Sequence, residues 1–305
     1  MMNVIFDMET SDPDDVLTLC WLIGNPQVNL TGVTVTPGTQ EQIALVRQVF
    51  FQVNGHWVTP PIGAFDNSRV DGCVSDFHYR IMNMVLEPFD VMLFIPDTRK
   101  ADDTGANVLR DVIKKYPDVT LLTGAPLKNL HRLLREHPDV TLKHWVAQGG
   151  FAGDSLVVPE NRLTKFAGRE TCPTFNFNGD PEGALLALST DKIQKRTLVS
   201  KNVCHGISYD LNFHEEFRPH KDKNSAMKVI YKIMASYLKR HPKGKMLHDP
   251  LAACVMLNPE ICTFEEVEVY RAKGEWGSRR AYNTNTKISV AVDPVKFKET
   301  FLLQK

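Results

Sequence analysis

The chain has 305 residues, 43% hydrophobic and 24% charged, and its 36 Lys plus Arg balance 36 Asp plus Glu. That length buries a substantial core, while a formal net charge of zero excludes a global field that would recruit nucleic acid or an anionic membrane, so a small-molecule partner is expected. Six scattered cysteines (Cys20, Cys73, Cys172, Cys204, Cys254, Cys262) form no Cys-x-x-Cys pair and predict reduced thiols in the core rather than disulfides or zinc. An acidic residue as early as Asp7 argues against a signal peptide, and no apolar run reaches spanning length, so the expectation is a soluble, cytoplasmic protein.

Residues 4–6 read as a short buried strand and residues 16–22 as an apolar helix. Between them crowd Asp7, Glu9, Asp12, Asp14 and Asp15, at the kind of strand-to-helix turn where open α/β sheets keep their sites. Helix capping accounts for part of this: Asp12 at the N-cap, Pro13 at the first helical position, and an acid in the first turn. It leaves Glu9 and one aspartate of the pair unexplained. Like charges this close require a hard cation, a donor or a proton.

Further strands are predicted at residues 30–36, 91–95, 119–123, 145–147, 197–199, 266–270 and 287–292. Helical patterns occupy residues 40–53, 105–115, 126–136, 181–189, 225–239 and 249–256. This β-α alternation predicts an α/β fold, an open and mostly parallel sheet with helices on both faces, in one domain over residues 1–305. Loops at 70–90 and 151–174 are long enough to be functional, and the segment 208–223, with Phe213, His214, Phe217 and His220, reads equally as a lid or a solvated connection. No Gly-x-Gly-x-x-Gly follows the first strand, which argues against a dinucleotide enzyme.

Three later elements also carry chemistry. His248-Asp249-Pro250 repeats the Asp-Pro helix start, so Asp249 reads as a cap, with His248 beside it as a general acid, a supporting donor or an ordinary loop histidine. Thr123-Gly124 ends a strand at a turn, where a carbonyl without a ladder partner is able to ligate a hard cation. In Thr174-Phe175-Asn176-Phe177-Asn178-Gly179-Asp180-Pro181, Asn176 and Asn178 fall on one side of an extended segment, suited to sugar hydroxyls, and Asp180 reads as a cap.

In this order the elements resemble the calcium-dependent, inosine-uridine preferring nucleoside hydrolases over nearly the whole chain. The resemblance rests on Asp7 to Asp15, on Thr123-Gly124-Ala125-Pro126-Leu127-Lys128-Asn129-Leu130, on Gly149-Gly150, on Phe175-Asn176 with Asp180-Pro181-Glu182, and on His248-Asp249-Pro250-Leu251-Ala252. It implies a Rossmann-like core, one Ca2+, a role in purine or pyrimidine salvage, and a homo-oligomer, dimer or tetramer. Carried over by position, Glu9, Asp15, the main-chain oxygen of Thr123 and Asp249 hold the metal. Glu9 also serves as catalytic base, His248 stands by the leaving base, and Asp14 and Asn176 bind the ribose. Thr39, Thr174 and Asn178 complete the substrate-binding set. Cleavage of an N-glycosidic bond by water suits these residue types, because an oxocarbenium-like state needs an activated nucleophile on one side and help for the leaving base on the other.

The chain also departs from the family pattern. Glu9 stands where an aspartate is usual, one residue is inserted before Asp14-Asp15, Gly38-Thr39 replaces a Gly-Asn pair, and Thr174 replaces a glutamate that helps bind the 5′ end of ribose. Loss of that carboxylate, with Arg162, Lys165 and Arg169 in the preceding loop, admits a 5′-phosphorylated or otherwise modified riboside as substrate; solvated loop charges are the plainer reading. A nucleoside-binding protein without turnover is the rival from another class. Aromatic candidates for stacking on the base are Trp276, Phe213, Phe217, Tyr209 and His78, each also readable as packing.

Overall fold

The computed structural model describes residues 1–66 and 99–303. In chain order its strands are β1 (Met2–Met8), β2 (Val28–Val35), β3 (Ile62–Ala64), β4 (Asp103–Thr104), β5 (Thr120–Thr123), β6 (Leu142–Gln148), β7 (Thr171–Cys172), β8 (Ile193–Val199), β9 (Ser208–Tyr209), β10 (Lys245–Met246), β11 (Cys262–Ala272), β12 (Glu275–Arg280) and β13 (Thr286–Val292). Its helices are α1 (Pro13–Gly24), α2 (Gln40–Asn54), α3 (Gly105–Lys115), α4 (Lys128–Glu136), α5 (Phe175–Gly179), α6 (Pro181–Ser189), α7 (Lys201–Cys204), α8 (Leu211–Phe217), α9 (Ser225–Arg240), α10 (His248–Leu257) and α11 (Pro294–Phe301).

Strand β1 is apolar on both faces because both are covered. Val4, Phe6 and Met8 join one core cluster, with α1, α2, α9 and α10, while Ile5 joins the other, with α3 and α4. Eleven strands form one sheet in the order β4-β3-β2-β1-β5-β6-β8-β13-β11-β12-β7. Pairing is parallel from β4 through β13 and antiparallel among β13, β11, β12 and β7. The strand order reverses between β1 and β5, which opens a crevice at the carboxyl ends of those two strands. Asp7 pairs with Thr123 across it. The mostly parallel α/β sheet expected from the sequence is therefore the one observed.

Local chemistry fixes several helix starts at their expected positions. Thr39 caps α2 in a reciprocal capping box with Gln42, Thr104 caps α3, and Asp180 caps α6 by accepting from the Gly183 amide. Trp21 ties α1 to α11 by donating to the Phe301 carbonyl at 2.9 Å and stacking on its ring.

The structure corrects some expectations. Residues 175–179 form helix α5 rather than an extended segment, so Asn176 and Asn178 do not share a face. The segment 208–223 is no lid: Phe213 and Phe217 are buried in an aromatic cluster with Tyr209, Phe297 and Phe301, which the short spacing of α8 assembles. Strand 91–95 and the whole of loop 70–90, with Cys73 and His78, lie outside the described residues. The other five cysteines are buried free thiols.

Candidate active site

Chain direction explains how the acids of the opening segment part company. Asp7 follows Ile5 onto the α3–α4 face of the sheet, where its Oδ1 accepts from Thr34 Oγ1 at 2.6 Å and from Asn129 Nδ2 at 2.8 Å. Burial pushes this carboxyl up to about 7. The remaining acids turn with the chain into the crevice. Asp12 occupies the N-cap position of α1, yet its side chain caps nothing there. It is held instead by Lys245, whose Nζ lies 2.7 Å from Asp12 Oδ2.

Asp14 and Asp15, in the first turn of α1, are almost fully buried. Asp14 reaches across to the start of α10 and accepts through Oδ2 from the His248 amide at 3.0 Å, with the Asp249 amide at 3.4 Å. One aspartate thus supplies the cap that α10 lacks, since Leu247 at its N-cap offers no side-chain bond. Asp249 is freed from the capping role the sequence assigned to it and enters the site. Asp15 accepts from the Glu9 amide at 3.1 Å, pinning the strand-to-helix turn.

As a result Asp14, Asp15 and Asp249, all buried, bring one carboxylate oxygen each within 4.8 Å of one another. Burial first, and then mutual repulsion, raises Asp15 and Asp249 well above the usual carboxylate range; burial and the neighbouring Asp14 raise Glu9 to about 8. Gly124, at the end of β5, closes against this group: a Cβ there would stand 2.6 Å from Asp249 Cγ. A site made only of carboxylate oxygens, and short of positive charge, fits a hard divalent cation rather than zinc.

The acids open into a cavity of about 290 Å³ that is also lined by Gln148, Thr174, Phe175, Asn176, Lys201, His205 and His248. Asn176 donates to the main-chain and side-chain oxygens of Gln148 at 3.1 and 2.8 Å, which fixes its amide. The rings of His205 and His248 meet edge to face at 5.0 Å. Burial lowers His248 to about 4, so its imidazole is neutral at neutral pH, and its Nδ1 has no partner among the described residues.

Residues 4–299 match the family model for inosine-uridine preferring nucleoside hydrolases. The chain belongs to that family. It is accordingly an N-glycosyl hydrolase, which cleaves the bond between base and ribose of a ribonucleoside with water. A protein of Aquifex aeolicus without assigned function is 28% identical over 303 residues, covering 96% of this chain and 94% of its own. An inosine-uridine preferring nucleoside hydrolase from Bacillus anthracis superposes with a TM-score of 0.69 at 17% identity, over 99% of this chain and 98% of its own. A purine-preferring ribonucleoside hydrolase from Gardnerella vaginalis gives 0.66 at 19%, over 98% and 96%. These structural likenesses concern the fold.

In this nucleoside hydrolase the cavity gathers Glu9, Asp14, Asp15, Thr174, Asn176, His248 and Asp249, all singled out in the sequence, and Thr123 immediately precedes the lining residue Gly124. Thr39 and Asn178 are not among its lining residues. The Thr39 hydroxyl is engaged in capping α2. Asn178 accepts from Trp276 Nε1 at 2.6 Å and donates to the Gly274 carbonyl at 3.1 Å, because α5 turns it away from Asn176. Trp276, Tyr209, Phe213 and Phe217 are buried and do not line the cavity either. Lys245, Gln148, Lys201, His205 and Phe175 were missed as site residues. For Gln148 the signal was its place before Gly149-Gly150.

Proposed function

We propose that this enzyme is a calcium-dependent ribonucleoside hydrolase of small-molecule salvage. The observation that carries the reading is the convergence of Asp14, Asp15 and Asp249 at the β1–β5 switch point. Asp15, Asp249, Glu9 and the Thr123 main-chain oxygen would hold the ion. Bound there, Ca2+ would supply charge that lets the carboxylates ionise together and lowers the pKa of a nucleophilic water.

Every other part falls to side chains. Glu9, at the rim of the acid group, takes the proton of that water. Asp14, held by the two amides of α10 and by Lys245, presents a fixed carboxylate to ribose hydroxyls, and its charge favours the developing oxocarbenium ion. Asn176 positions the sugar from the Gln148 side. His248 sits neutral in a desolvated wall, so it assists the departing base as an N–H donor rather than as a standing cation. By family analogy the enzyme assembles as a dimer or tetramer.

The reading is tested with metal-stripped protein. Calcium should bind with about one equivalent by calorimetry and restore hydrolysis of inosine or uridine, and Glu9→Gln should lower kcat by about two to four orders of magnitude. Full turnover in a chelator would remove the metal from the reaction.

A further inference from the structure

One side of the cavity is built from donors that lack an anion. Lys201 and His205 line it, and Lys201 Nζ donates to the Pro173 carbonyl at 2.8 Å, next to Thr174. The Lys165 ammonium stands against His205 Nδ1 and lies 5.1 Å over the Phe166 ring. Because an ammonium only donates, Nδ1 accepts, and the proton of the neutral imidazole is on Nε2. The Thr174 hydroxyl is buried, belongs to a residue that lines the same cavity, and has no hydrogen-bond partner among the described residues. Neither lysine has a carboxylate partner among the described residues. The other loop cations considered from the sequence do not contribute: Arg162 donates to the carbonyls of Val157 and Asp154, and Arg169 does not line the cavity.

A neutral ribonucleoside does not call for such a wall. Sugar hydroxyls donate as well as accept, and the acid group already receives their protons. An ammonium, an imidazole N–H and an unpaired hydroxyl around one cavity are matched by an oxyanion, which accepts from all three. Resting on the nucleosidase reading, we propose that the riboside cleaved by this enzyme carries an anionic oxygen group, phosphate or carboxylate, bound by Lys201, Thr174 and His205, with Lys165 fixing the His205 ring. A phosphate would belong to the ribose 5′ end and a carboxylate to the base; the chemistry of recognition is the same.

The experiment compares kcat/KM of the calcium-loaded enzyme for inosine and uridine with that for their 5′-monophosphates and for orotidine. Calorimetric binding of ribose 5-phosphate against ribose, and of orotate against uracil, runs alongside. The expected result is a preference of about tenfold or more for one charged class, equivalent to about 1.4 kcal/mol. Lys201→Met and Lys165→Met should each lower that ratio by about tenfold, whereas Lys201→Arg should keep much of it. Preference confined to the monophosphates and ribose 5-phosphate assigns the anion to ribose; preference confined to orotidine and orotate assigns it to the base. Equal or better turnover of inosine or uridine, with no tighter binding of either charged ligand, overturns the inference and leaves the nucleosidase reading standing. Absence of all cleavage overturns that reading instead, and the binding comparison still decides whether the wall takes an anion.

Discussion

Lys245 Nζ lies 2.7 Å from Asp12 Oδ2 and 3.5 Å from Asp14 Oδ1, which sets an ammonium between the acid at the start of α1 and the buried acid group behind it. The β9–β10 ladder holds it there, since Lys245 pairs with the buried Tyr209. Asp12 belongs to the acidic opening turn, and its negative charge is thereby met from a segment more than 200 residues away.

Lys245→Met should therefore destabilise the metal-free protein. Asp12 keeps some solvent contact, so the pair is only partly desolvated and the loss is about 1–3 kcal/mol, less than for a fully buried pair. The melting temperature should fall by several degrees, and adding Asp12→Asn to the same chain should recover part of it. Losses that simply add in the double variant would show that the two side chains are not coupled.

Calcium and pH should act on stability in opposite senses. In the folded metal-free chain Glu9 is raised to about 8 and Asp7 and Asp12 to about 7, with burial as the leading cause. A carboxyl raised on folding holds a proton that the unfolded chain has already released. Its contribution to stability is full below the ordinary carboxylate range and lost as pH rises through about 7 to 8. Melting temperature in chelator should thus decline between pH 5.5 and 8.5, while the increment produced by calcium should grow over the same range. An increment that shrinks with rising pH would contradict carboxylate ligation.

Gly124→Ala is expected to damage the site more than the fold. The added methyl would meet Asp249 Cγ at 2.6 Å, a distance that forces the carboxylate to move. Since Asp249 is one of three acids whose oxygens lie within 4.8 Å, calcium affinity should drop by about tenfold or more while the far-ultraviolet circular dichroism stays unchanged. Unaltered affinity would mean that Asp249 is not a ligand.

Much of this site was legible in the sequence because it sits at ends of regular elements. The alternation of apolar strands and amphipathic helices fixed the order of β1, α1, β5 and α10, and the acidic turns followed from that order. Side-chain partnerships across the crevice were not legible. Asp249 reads locally as a cap, and only the packing of α1 against α10 lets Asp14 take over that task. Asn178 looks equivalent to Asn176 at period two, whereas Phe175–Gly179 is a single helical turn that ends before Asp180-Pro181. Lys245 has no local signal of its own kind, since its register against Tyr209 is a tertiary fact.

Stacking on the base is predicted for Phe175 rather than for Trp276. Trp276 is fully buried, edge-on to Phe177 and bonded to Asn178, so it has no face to offer. Phe175 lines the cavity and is 70% exposed, an unusual state for a phenyl ring adjacent to a buried sugar-binding candidate, Asn176. A flat apolar ring at the cavity mouth offers a π-face to purine and pyrimidine alike. Stacking of this kind is worth about 1–3 kcal/mol, so Phe175→Ala should raise KM by about fivefold or more. Because the ring contacts ground state and transition state equally, kcat should change by less than about twofold. Phe175→Leu should recover little of the loss, since it returns apolar area without the planar face. A variant in which kcat collapses while KM holds would instead give Phe175 a part in positioning Asn176.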